Sequence, residues 1–218
     1  MYIGHEIPTG PIDMSQFDTS HAARVANEHL KSIQNPRRRQ ILINFRDHAL
    51  AESLGDHAAL MATCSQAQQR YVIHGSAIDT SHMQPQNYAE VFDYYKALID
   101  LNLYLIHTEL EKLSVGEDCL MLDAVVHQVV GGQSARDFFG IGEAEPDKVY
   151  QAWSRAAIMF TFDENGMGCG EHSYSDGGIH IGRMQEIPEE LVPPQYLSGP
   201  KSVAGFFTEN PGLDWPQS

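Results

Sequence analysis

The sequence predicts an α+β fold, with helices first and an antiparallel sheet after them, the helices lying on one face of that sheet. Three observations predict it. Residues 21–100 place apolar side chains at the helical period, whereas residues 103–176 alternate at the two-residue period of strands. The strand-like half is interrupted at Gly116-Glu117-Asp118 and at Asp163-Glu164-Asn165-Gly166, both rich in turn formers. With 218 residues, 42% apolar and 20% charged, the chain has room for one globular domain with extensions or two small ones.

Taken in order, residues 1–20 hold Gly4, Pro8, Gly10 and Pro11 and read as an irregular arm. In the first clear helix Ile41, Leu42, Phe45 and Ala49 share a face. The Arg37-Arg38-Arg39 run just after Pro36 reads as the solvated face of that helix. Gly55 stops it, and Asp56 caps a short helix carrying Leu60, Met61 and Cys64. Residues 71–75 form a short strand. Asn87-x-x-Glu90 is a capping box, followed by a stripe of Val91, Tyr94 and Leu98. Residues 103–115 pair with 118–130 in one hairpin, and 149–163 with 167–176 in another. Residues 181–218 form a tail rich in Pro and Gly that keeps Phe206, Phe207 and Trp215 for packing.

Several function classes are disfavoured. The net charge of −15 repels phosphate backbones and anionic headgroups, so neither nucleic acid nor a membrane surface is an expected partner. No run of 18 apolar residues exists, and the first residues lack the basic and apolar regions of a signal peptide. Three scattered Cys (Cys64, Cys119, Cys169) do not form a disulfide framework, which points to a reducing cytoplasm. Gly166-x-Gly168-x-Gly170 falls in a hairpin rather than between a strand and a helix, so it is not a dinucleotide loop. No HxH or HExxH spacing is present. The expectation is therefore no metal and no cofactor.

Charged and imidazole side chains in apolar strands are the candidate site. Asp123 and His127 share one face of residues 119–130, and His107, Glu109 and Glu111 share a face of the preceding strand. If Val115 pairs with Cys119, His107 falls opposite His127, with Cβ atoms about 5 Å apart. A one-residue slip would separate them. Arg155 is the only charge in a long apolar strand and shares a face with Trp153. It either pairs with Asp123 or holds an anionic substrate group. His48 and Glu52 lie one helical turn apart beside Phe45 and Ala49, as a boundary pair or at the border of a cavity.

The order of elements resembles the nuclear-transport-factor-2-like superfamily, in its SnoaL-like and scytalone-dehydratase-like branches. Leu54-Gly55-Asp56, Tyr71-Val72-Ile73-His74-Gly75 and Met159-Phe160-Thr161-Phe162-Asp163-Glu164-Asn165-Gly166 carry the likeness, which covers about residues 36–176. It implies a cone-shaped α+β barrel over residues 21–180, in which a curved sheet wraps the N-terminal helices around one hydrophobic pocket. It also implies a His at the start of the strand after the third helix, matched by His107. An acidic partner near the end of the first helix is matched by Glu52, although Asp is usual there. A second pocket His on the next strand is matched by His127.

The resulting expectation is a cofactor-independent lyase acting on a hydrophobic, hydroxylated aromatic or polycyclic molecule, by loss of water or of a small aldehyde. His107 serves as base, with His127, Tyr71 or Tyr94 polarising the leaving oxygen. Asp123, Arg155, Tyr71, Tyr94, His48 and Trp153 are expected to contact substrate. An isomerase or cyclase could use the same base. A non-catalytic binding or assembly module would instead bury His107 and His127 in hydrogen bonds with no adjoining cavity. Strands apolar on both faces, as at Met159 and Phe160, also predict a homo-oligomer, a dimer or trimer.

Overall fold

A computed structural model describes residues 7–215, so residues 1–6 of the expected arm lie outside the described residues. Helix α1 (His21–Leu30) leads into α2 (Pro36–Leu54). Helix α2 starts where Asn35 accepts a hydrogen bond from the Arg38 N–H and Pro36 supplies a pre-set φ. It stops at Gly55, whose φ of 75° is left-handed and whose missing Cβ leaves room for the Tyr104 ring. Asp56 then caps α3 (His57–Met61), as its position after Gly55 predicts.

A short strand, β1 (Val72–His74), precedes α4 (Tyr88–Asp100). Asn87 caps α4 as expected, but the Glu90 carboxylate reaches the N–H of Gln86 rather than that of the cap residue. The buried stripe of α4 is Val91, Tyr95 and Leu98, so Tyr95 replaces the expected Tyr94 at its centre. The strands β2 (Ile106–Val115) and β3 (Cys119–Gly131) form the first hairpin, and α5 (Gly132–Asp137) follows it. The strands β4 (Val149–Phe162) and β5 (Gly168–Ser175) form the second.

The main sheet runs β1-β5-β4-β3-β2, and a sixth strand, β6 (Met184–Glu186), pairs with the start of β4. The sheet is antiparallel except at β1, which lies parallel to β5. That contact is possible because Gly170 has no side chain: a Cβ there would stand 2.0 Å from the Arg70 carbonyl oxygen. Gly170, the last glycine of this hairpin's run, therefore serves the close approach of β5 to the segment leading into β1.

The register of the first hairpin differs from the expected one at the turn and agrees with it further in. Val115 pairs with Leu120 rather than Cys119. A bulge at Glu111 then absorbs one residue, so His107 still meets His127. The same bulge lets both Leu110 and Leu113 face the helices, although they are three residues apart in a strand. Together with Leu120, Leu122, Ala124 and Phe162 they bury against Leu30, Ile41, Leu42 and Phe45.

The helices thus line the inner face, as the sequence predicts. The outer face is covered in part by the chain's own ends. The N-terminal arm crosses it, with the Ile12 N–H donating to Gln151 Oε1 at 2.9 Å and the Gln151 amide donating back to the Ile12 carbonyl at 3.2 Å. Ile187, Val192 and Tyr196 pack over Leu105 and Val129. The later tail carries the one-turn helix α6 (Pro194–Ser198) and then α7 (Val203–Glu209). Phe206 of α7 and Trp215 beyond it bury against Ala23, Leu50 and Leu54, and the Arg46 guanidinium lies 4.5 Å from the centre of the Trp215 ring. No helix is long and apolar enough to cross a membrane among the described residues.

Candidate active site

The last two turns of α2 point His48 and Glu52 toward the inner face of the sheet. His48 is 6% exposed. Its Nδ1 lies 2.8 Å from Thr63 Oγ1, and that hydroxyl already donates to the Leu60 carbonyl at 2.6 Å. Thr63 can therefore only accept from the ring, so His48 carries its hydrogen on Nδ1 and leaves Nε2 bare. Burial lowers the His48 pKa to about 4, which keeps the ring neutral.

Nε2 of His48 faces the Tyr95 hydroxyl at 3.1 Å. The same hydroxyl lies 3.1 Å from that of Tyr71 and 3.2 Å from Oε1 of Glu171, on the inner face of β5. Tyr95 owns a single hydrogen for these three neighbours. If Glu171 is ionised, that hydrogen goes to the carboxylate and the buried Nε2 of His48 has no donor. If Glu171 is protonated, Glu171 and Tyr71 both donate to Tyr95, and Tyr95 donates to His48. Every group is then satisfied, so the count of hydrogens favours a neutral Glu171.

Electrostatics point the same way. Burial first, and then repulsion by Glu52, hold the Glu171 carboxyl well above the usual carboxylate range. Glu52 is raised as well, by burial alone, and its carboxyl has no hydrogen-bond partner among the described residues. Two carboxyls in one low-dielectric space do not both ionise readily. With Glu171 held neutral by its network, Glu52 is the one left to carry the charge.

Both carboxyls open into a cavity of about 180 Å³ walled by Tyr71, Tyr94, Tyr95, Ile73 and Met83. The Tyr94 hydroxyl has no hydrogen-bond partner among the described residues, and burial, then Glu171 and Glu52, raise its pKa. A larger groove of about 850 Å³ runs along the outside of α2 past Arg39, Ile43 and Asp47. It is open to solvent and contains neither carboxyl. Among the described residues, no group of three or more His, Cys, Asp or Glu side chains is arranged to hold a metal ion.

No protein-family model and no curated protein matches this sequence. Solved structures do match its fold. A protein described as a SnoaL-like polyketide cyclase from Shewanella putrefaciens CN-32 superposes with a TM-score of 0.51 at 10% identity, covering 78% of this chain and 93% of that one. The chain has the SnoaL-like, nuclear-transport-factor-2-like fold. A second protein described as a SnoaL-like polyketide cyclase, from Jannaschia sp. CCS1, matches with a TM-score of 0.48 at 14% identity, over 66% of this chain and 90% of that one. The Δ5-3-ketosteroid isomerase of a Mycobacterium species matches with a TM-score of 0.46 at 11% identity, over 68% and 98%. At such identities the likeness is one of fold, and function must be argued from the site.

Within the SnoaL-like fold the expected site residues divide between two faces. Glu52, Tyr71 and Tyr94 line the cavity, and His48 is tied to it through Tyr95. His107, His127, Asp123, Arg155 and Trp153 do not reach it. The reason is strand parity: Leu120, Leu122 and Ala124 face the helices, so Asp123 and His127 face outward, and their cross-strand partners follow.

The two histidines do meet, with ring centres 5.7 Å apart, but they meet beneath the arm. The Asp18 N–H donates to His107 Nδ1 at 2.9 Å, and the His21 ring lies tilted against it with centres 4.8 Å apart. His127 is fully buried, with Nε2 3.2 Å from Glu109. Burial, then His21 and His127, push His107 down to about 4. Neither ring borders the cavity, so the pocket placement of His107 and His127 is corrected, although His127 Nδ1 is buried without a hydrogen-bond partner among the described residues. Arg155 is held by Glu111 at 2.5 Å and Asp123 at 2.9 Å, which leaves it committed to an ion-pair network.

Sequence pattern alone does not single out Glu171 or Tyr95. Glu171, Ser173 and Ser175 alternate with their neighbours, but alternation does not say which face is inward. Register with Phe160 on β4 is the signal that places Glu171 beside the helices.

Proposed function

We propose that this chain is an acid–base enzyme that shifts a proton on a small molecule next to a carbonyl, as an isomerase or cyclase. Glu52 takes the proton from carbon. The Tyr94 hydroxyl donates to the oxygen on which negative charge develops. The neutral Glu171 turns its hydrogen from Tyr95 to the substrate and Tyr95 then donates to the carboxylate; exchange with solvent afterwards removes the Glu52 proton and restores that of Glu171. One observation carries this reading: two carboxyls, Glu171 tied to the Tyr95 hydroxyl and Glu52 without a hydrogen-bond partner among the described residues, share one cavity walled by three tyrosines. A lyase reaction would draw on the same pair, with Glu171 protonating the leaving oxygen, and release of water or a small aldehyde would mark it. A homo-oligomer remains part of the proposal, since the arm and residues 187–196 cover the outer face only in part and leave Met121 exposed; sedimentation at micromolar concentration tests it.

The test does not require the product to be identified. Neutral carbonyl compounds are incubated with the protein in D₂O, and exchange of the hydrogens next to the carbonyl is followed by NMR. Glu52→Gln should slow exchange by roughly 10²–10⁴-fold. Tyr94→Phe should slow it by roughly 10²–10³-fold, the usual loss for one oxyanion donor. Undiminished exchange in a folded Glu52→Gln protein would overturn the reading and leave a binding module.

A further inference from the structure

We propose that the cavity admits only non-anionic molecules of about a single substituted ring, and that Met83 sets this size limit. The inference rests on the cavity being the substrate site, and it narrows the expected aromatic or polycyclic class to its smallest members.

Volume makes the first argument. The cavity measures about 180 Å³. An engineered apolar cavity of roughly 150 Å³ takes up benzene. Pockets for drug-sized ligands run from roughly 300 to 1,000 Å³. A one-ring ketone fits wholly within this space, whereas most of a four-ring skeleton would stand outside it.

The walls make the second argument, because they do not yield easily. Tyr94 and Tyr95 pack with ring centres 5.3 Å apart, and Tyr71 lies 6.2 Å from both. The segment that brings Met83 over the cavity is strapped to Tyr71. The Tyr71 N–H donates to the Pro85 carbonyl at 3.0 Å, and the Gln86 amide donates to the Tyr71 carbonyl at 3.0 Å. Met83 is the flexible, unbranched member of this wall, free of hydrogen-bonding duty through its side chain, and it reaches the cavity from a one-turn helix over residues 81–83. Shortening it enlarges the space without touching either carboxyl.

Charge makes the third argument. The lining holds two carboxyls and no Lys or Arg. An entering carboxylate, sulfate or phosphate would lose its hydration beside Glu52, with no cation to replace it.

The experiment reads binding, by saturation-transfer NMR, so it does not depend on turnover. The probes are cyclohex-2-enone, benzoate, the two-ring ketone 1-tetralone, and progesterone. The wild-type chain should bind cyclohexenone and give no signal with the other three. Met83→Ala should gain tetralone, by tenfold or more, while still refusing benzoate. Ile73→Ala, on the neighbouring wall, serves the same purpose if Met83→Ala does not fold. Binding of progesterone or benzoate to the wild type in competition with cyclohexenone overturns the proposal. So does a lack of cyclohexenone binding, or folded enlarged variants that still refuse tetralone. Loss of the catalytic reading is a separate result, seen when Glu52→Gln exchanges deuterium normally while the binding pattern stands.

Discussion

His48 and Glu52 sit one turn apart on α2, and the fold sets their protons in opposite directions. The His48 pKa is lowered to about 4, below that of an unfolded chain, so its neutral form is worth stability that is fully present above the ordinary histidine value and lost as pH falls toward 4. The loss should reach roughly 3 kcal/mol. His107, also pushed down to about 4, acts in the same sense. Glu52 and Glu171 are raised, so the folded chain holds their protons more tightly than the unfolded one, and stability falls as pH rises through their folded values. Urea melts across pH 4–9 should therefore show a maximum between the two limbs. Glu171→Gln should flatten the alkaline limb and raise stability there, the usual consequence of removing a strained functional group. Activity should rise with pH as Glu52 ionises and fall again as Glu171 loses its proton. At this scale the sequence is half legible. Helical spacing finds His48 and Glu52, since one turn of helix needs no further information. It does not find Glu171, whose role depends on which face of β5 the rest of the chain covers.

At the scale of elements, the boundaries of β2 to β5 and the caps of α2, α3 and α4 are legible, because turn residues and capping side chains act locally. The bulge at Glu111 is not. It follows from the need to bury both Leu110 and Leu113, a demand made by α1 and α2 from far along the chain. Counting inward from the turn pairs His107 with His127 only through a register that is off by one at Val115, and the bulge makes up the difference. The face is the harder question, and it decides what these histidines do. His107→Ala should lower stability by roughly 1–3 kcal/mol, through the lost bond to the Asp18 N–H, while changing deuterium exchange by less than about twofold. A large loss of exchange in a folded His107→Ala protein would return that residue to the active site.

For the whole molecule, the order of helical and alternating segments is enough to name the architecture, because a helix-first α+β chain has few ways to cover one face of a sheet. Cover for the other face is not legible, since an irregular arm carries no periodic signal. The arm ties itself to that face through Gln151, Glu111 and Arg155. Removing residues 1–18 should therefore uncover His107 and His127. Their ring protons, followed by NMR, should then titrate closer to the ordinary histidine value of about 6.5.

The packing of Trp215 and Phe206 over Leu50, Leu54 and Ala23 has a consequence for how the chain is made. A ribosome delivers α2 long before it delivers residues 203–215, so the outward side of that helix waits, bare and apolar, through the synthesis of the entire sheet. Asn27 waits likewise for the Asp214 carbonyl, 187 positions downstream. Until those segments arrive, the nascent chain presents a sticky helical surface of the kind that chaperones hold and that neighbouring nascent chains can capture. A stop codon after residue 202 should leave a product that forms much of its sheet yet accumulates as aggregate, and co-expression of a holdase should recover it in soluble form.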